Sequence, residues 1–142
     1  GWTWREIVTN KAGGRLEVPY VVTLALLATH EIDSAYWHEW TLFGLPGGIQ
    51  GFLVANLALL LPCLYGLVRI VRSPRAGAPF GLALAIAGVA AFGIHVWFLR
   101  QGGPEFRSPA SVGVLVFTLL ASIGLGWLSA RALGETDAPR AE

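Results

Sequence analysis

Three runs of about 20 mostly apolar residues, 47–68, 79–99 and 110–130, dominate this 142-residue chain. A helix rises ~1.5 Å per residue, so each run is long enough to cross the ~30 Å hydrocarbon core of a bilayer. Turn-forming groups separate the runs: Pro46-Gly47-Gly48, Arg72-Ser73-Pro74-Arg75, Gly102-Gly103-Pro104 and Ser108-Pro109. Composition agrees, with 54% hydrophobic and only 13% charged residues, where a soluble domain carries about a quarter charged. Ten Lys+Arg against nine Asp+Glu leave no basic surplus for nucleic acid. Cys63 is the single cysteine, which excludes an internal disulfide and a four-cysteine zinc site. The expected fold class is an all-α integral membrane bundle.

A fourth span is expected at about 18–37, ahead of the other three. Its cleanly apolar part, 18–28, is too short to cross. Crossing length is reached only if the helix continues through Thr29-His30-Glu31-Ile32-Asp33-Ser34 to an aromatic belt at Tyr36, Trp37 and Trp40. No helix breaker stands between Pro19 and Gly44, so a continuous helix is expected there. Residues 1–17 carry no apolar run before a small-residue cleavage site. They are expected to form an interfacial segment with Trp2 and Trp4 at headgroup depth. Residues 18–131 then make the four-span bundle, and 132–142 a flexible cytoplasmic tail.

Orientation follows from the basic residues, which are retained on the cytoplasmic side. Arg5, Lys11, Arg15, Arg69, Arg72, Arg75, Arg131 and Arg140 fall on one side of this topology, and Arg100 and Arg107 on the other. Both termini are therefore expected in the cytoplasm, in a bacterial cytoplasmic membrane. Gly47-x-x-x-Gly51, Gly77-x-x-x-Gly81 and the series Ala83, Ala87, Ala91 are small-residue stripes that let helices approach closely in lipid.

All three histidines, His30, His38 and His95, fall in the outer half of this arrangement. On a continuous helix, at ~100° per residue, Glu31 and His38 nearly eclipse each other, and His30 and Asp33 share their side. That side must face protein, since a charge turned to lipid costs several kcal/mol. Imidazole and carboxylate groups on neighbouring helices suit a divalent transition metal. His30, Glu31, His38 and His95 are the candidate ligands. Asp33 or Glu39 would orient an imidazole, and Gln50 and Asn56 would line the site. A haem held between His30 and His95 is an alternative. So is a purely structural cluster that fixes helix packing in an accessory subunit of a larger membrane complex. A proton pathway is disfavoured because the cytoplasmic half offers few polar groups. The expected partners are the bilayer, a lipid-soluble small molecule, and a membrane-protein partner or a second copy. Ser34 lies within a turn of His30 and His38, but no Gly-x-Ser-x-Gly elbow surrounds it.

From Thr29-His30-Glu31-Ile32-Asp33 through Pro46-Gly47-Gly48-Ile49-Gln50, the chain resembles a group of small bacterial four-helix membrane proteins of unknown function. It also distantly resembles the membrane family named for a His-x-x-Glu-Glu motif, in which a histidine and acids end the first span and a proline-containing turn follows. The likeness covers about 18–60. His30 is followed at the third and fourth positions by Asp33 and Ser34 rather than by two glutamates. The resemblance implies a four-helix architecture and a polar outer site.

Overall fold

The computed structural model describes residues 4–102 and 107–134, with side chains from residue 15 onward. It is all-helical: α1 (Trp4–Tyr36), α2 (Glu39–Leu42), α3 (Gly48–Arg72), α4 (Pro74–Arg100) and α5 (Pro109–Gly134). Helices α3, α4 and α5 are each long and apolar enough to cross a membrane. Each overruns the apolar stretch expected from sequence. α3 continues to Arg72, α4 opens at Pro74 on a Ser73 cap whose hydroxyl accepts from Ala76 N at 3.4 Å, and α5 extends to Gly134. The expected tail beyond Gly134 lies outside the described residues.

α1 runs unbroken from Trp4 to Tyr36, with no boundary at residue 17. It is not among the three membrane-length apolar helices, because His30, Glu31 and Asp33 interrupt its apolar character at one end. Its buried side chains Leu16, Tyr20, Thr23, His30 and Ser34, with half-buried Leu27 between Thr23 and His30, recur every three to four residues, the signature of one inward-facing stripe. Ile32 and Tyr36, on the opposite face, are among the most exposed residues of the chain.

The continuous helix expected through to Trp40 does not form. α1 stops at Tyr36, and His38 adopts the left-handed conformation, φ 55 and ψ 45. The chain turns there and restarts as the four-residue α2. Histidine is one of the few non-glycine residues enriched in this region of backbone space, so the break needed no Gly or Pro to announce it. Beyond α2, Leu45 N donates to Trp40 O at 2.8 Å. Gly47, at φ 86, then starts α3 from a conformation that a side chain would strain.

Backbone proximity fixes the helix order. Among the long helices, α4 lies against α1, α3 and α5, and α1 lies against α3, α4 and α5, while α3 and α5 do not meet among the described residues. The ring is therefore α1, α3, α4, α5, with α1 and α4 in contact across its diagonal. The top of the bundle is where α1 and α4 end and α3 and α5 begin. The lower half holds the hydrophobic core, built on Leu16, Tyr20, Ile70, Ala78, Leu84, Ala85 and Leu125. There the Tyr20 hydroxyl donates to Cys63 O at 2.7 Å, reaching it across Gly66, where a Cβ would collide with the phenol. Gly81 and Gly88 admit the hydroxyls of Ser129 and Ser122 against the α4 backbone. Gly81 and Gly88 thus let α4 and α5 approach closely, whereas Ala83 and Ala87 of the alanine series are exposed.

Candidate metal centre at the top of the bundle

The α1–α4 diagonal carries the site. His30 enters from α1 and His95 from α4, each 2% exposed, and their rings meet edge to face with centroids 4.6 Å apart. Glu39 enters from above. The left-handed turn at His38 points the chain back over the bundle, leaving Glu39 7% exposed. Its Oε1 lies 3.7 Å from His95 Nε2. Two aromatic contacts hold α2 in this place: Trp40 against Phe52 of α3 at 5.4 Å, and Phe43 against Phe98 of α4 at 5.3 Å. The Thr41 hydroxyl also donates to His38 O.

His95 is oriented by its own helix. Its Nδ1 lies 2.8 Å from Ala91 O, and a carbonyl can only accept, so Nδ1 carries the proton. Nε2 is then the nitrogen turned toward Glu39. A metal-binding imidazole is commonly arranged this way, with one nitrogen fixed by a backbone carbonyl and the other presented to the ion.

His30, Glu39 and His95 each offer one donor atom, all within 4.8 Å of one another, and all three residues are buried. Two ligands held about 2.1 Å from a tetrahedral ion stand about 3.4 Å apart. The observed 3.7 Å between Nε2 and Oε1 is close to that separation, and small side-chain rotations would bring in the third donor. Two imidazoles and one carboxylate suit zinc or iron(II). The geometry is a poor fit to haem. Axial imidazoles stand on opposite faces of a porphyrin, whereas these two rings touch.

The other residues singled out from sequence lie around this group or away from it. His38 is exposed, because the turn that brings Glu39 in sends His38 out. Glu31 is half-buried and faces the Asn56 amide of α3, within electrostatic reach of Glu39. Asn56 Nδ2 also donates to Phe52 O at 3.1 Å. Gln50, in the first turn of α3, is exposed. Asp33 is engaged on the other flank, where its Oδ1 accepts from the Ser111 hydroxyl at 3.0 Å. Ser111 in turn pairs with Ser108, whose oxygen accepts from Ser111 N at 3.0 Å at the start of α5. A carboxylate at a helix N-terminus is favourably placed, so Asp33 clamps α1 to α5.

Glu39 is the residue whose place a straight helix conceals. Seen from sequence it is an interfacial residue at the outer end of the first span, or with Asp33 one of two candidates to orient an imidazole. Its entry into the group depends on the backbone of His38, and the one available hint was the tolerance of histidine for the left-handed region.

These features define a membrane-type helical protein with a buried His/Glu cluster that can hold a metal ion. The chain belongs to a family of unknown function, DUF6713, whose model matches residues 16–132. No curated protein matches the chain, and no solved structure does.

Proposed function

We propose that this is a four-span membrane protein with both termini cytoplasmic, and that it binds one divalent transition metal through His30, Glu39 and His95 at the outer end of the bundle. The observation that carries the reading is the convergence of three buried ligand atoms from separate elements within 4.8 Å. Burial of a carboxylate beside two imidazoles at membrane depth is costly unless something of opposite charge joins them. The tautomer of His95 supports the same reading, since it turns Nε2 toward Glu39. From 18 to 36, α1 supplies about 28 Å of helix, enough to cross with its polar stripe turned inward. Asp33, Glu31 and Asn56 would brace the ligands rather than bind the ion.

Elemental analysis of detergent-purified protein tests this directly, beside a His30→Ala/His95→Ala double variant and Glu39→Ala. Near-stoichiometric zinc, iron or a neighbouring metal is expected in the native chain and should be lost in both variants. A metal-free native protein, with variants that are merely less stable, would instead make the group a packing device in a larger complex.

A further inference from the structure

We infer that the bound metal keeps an exchangeable coordination position, and that the Ser34 hydroxyl holds the water or small anion that occupies it. This rests on the metal reading of His30, Glu39 and His95. Ser34 lies one helical turn beyond His30 on the inward stripe of α1 and is 0% exposed. Its Oγ has no hydrogen-bond partner among the described residues. A helical hydroxyl has a ready partner in the carbonyl one turn back. Two neighbours on the same helix take it: Thr23 donates to Pro19 O and Thr29 to Ala25 O, both at 2.8 Å. Ser34 does not, although the carbonyl of His30 is in place for it. Thr118, Ser122 and Ser129 also lack a partner among the described residues, but they pack on Gly88 and Gly81 in the α4–α5 seam, whereas Ser34 stands one turn from a candidate ligand, where a small polar species could take its hydrogen bond.

The donor count points the same way. Three protein ligands leave a tetrahedral ion one short, and two histidines with one carboxylate are the set found where a metal keeps positions for exogenous ligands. Trp40 rests against Phe52 and Phe43 against Phe98 where α2 meets α3 and α4, and the three candidate ligands are themselves buried, which favours a small species there. A hydroxyl one helical turn from His30 would donate to an oxygen or nitrogen bound at the ion. The chemistry this lays out is Lewis-acid activation of a bound water or polarisation of a small anionic ligand.

The test uses the full chain in detergent, loaded with cobalt(II) and titrated with azide while the cobalt absorption is followed. A saturable spectral change is expected for the native protein. Ser34→Ala should keep full cobalt loading and bind azide about tenfold more weakly, the loss expected for one hydrogen bond to a charged ligand. Ser34→Thr, which keeps the hydroxyl, should recover native affinity. Ser129→Ala removes another buried hydroxyl without a partner, one that packs on Gly81 in the lower half, and should leave azide binding unchanged. Cobalt bound without any response to azide overturns the exchangeable position while leaving the metal reading intact. Equal azide affinities in native protein and Ser34→Ala, or equal losses in Ser34→Ala and Ser129→Ala, overturn the role of Ser34. Absence of cobalt binding removes both readings.

Discussion

The identity of one backbone conformation decides which side chain joins the cluster. His38 sits at φ 55, where a non-glycine residue is strained by about 1–2 kcal/mol, and that turn exchanges an exposed imidazole for a buried carboxylate. His38→Gly is therefore expected to stabilise the fold by about 1 kcal/mol and to leave metal loading intact. His38→Val, with a branched side chain unsuited to this region, should destabilise by roughly 1–2 kcal/mol and weaken metal binding, because Glu39 then loses its approach. Thermal unfolding and elemental analysis of the two variants read this out. Loss of metal in His38→Gly would mean that the imidazole itself is a ligand. Glu39→Gln, which keeps the shape but not the charge, separates the carboxylate from its packing and should lose metal while unfolding close to the native temperature.

At the scale of elements, α3, α4 and α5 were legible in the sequence because a run of apolar residues near 20 long has few other fates. The extra turns at their ends were less so, since polar helix termini outside the hydrocarbon carry no hydropathy signal. α1 was legible as a helix but not in its ending, because hydrophobic pattern and breaker residues say nothing about a left-handed histidine. Of the small residues the sequence singled out, Gly81 meets α5, whereas Gly77 packs on Ile70 of α3 and Ala83 and Ala87 are exposed; Gly88 and its partner Ser122 carried no signal in the spacing. Gly88 is the sharpest test of the α4–α5 contact. A Cβ there would strike Ser122 and press on Thr118, 3.3 Å away, so Gly88→Leu should force the helices apart and cost about 1–3 kcal/mol or more. Gly124→Ala, at a helical position with nothing within 4 Å, should be neutral or stabilise by up to about 1 kcal/mol. Helical content during heating in detergent distinguishes them, and equal behaviour of the two variants would rule out tight α4–α5 packing as a source of stability.

For the whole molecule, sequence spacing held no information on helix order, because ring neighbours are chosen by side-chain fit and not by distance along the chain. The diagonal α1–α4 contact is what joins His30 to His95, and the antiparallel run of the helices is what gathers Arg15, Arg69, Arg72, Arg75 and Arg131 at the bottom while the cluster sits at the top. Arg131 folds over the Trp127 ring at 4.4 Å and Arg69 donates to the Tyr65 hydroxyl at 3.1 Å, so cations and aromatic rings share the depth at which interfacial residues anchor. If the basic end is retained in the cytoplasm, as the proposed topology has it, the His30/Glu39/His95 group faces outward, and a metal held there would exchange with the outer aqueous phase. A cysteine-free background, Cys63→Ala, carrying either Gln101→Cys at the top or Ser73→Cys at the bottom, makes this measurable. A membrane-impermeant thiol reagent added to intact cells should label the Gln101→Cys protein and reach the Ser73→Cys protein only after permeabilisation. In sealed vesicles of the same orientation, an impermeant chelator added outside should then strip the metal. The opposite labelling pattern would invert the topology, and the chelator would remove metal only when placed inside.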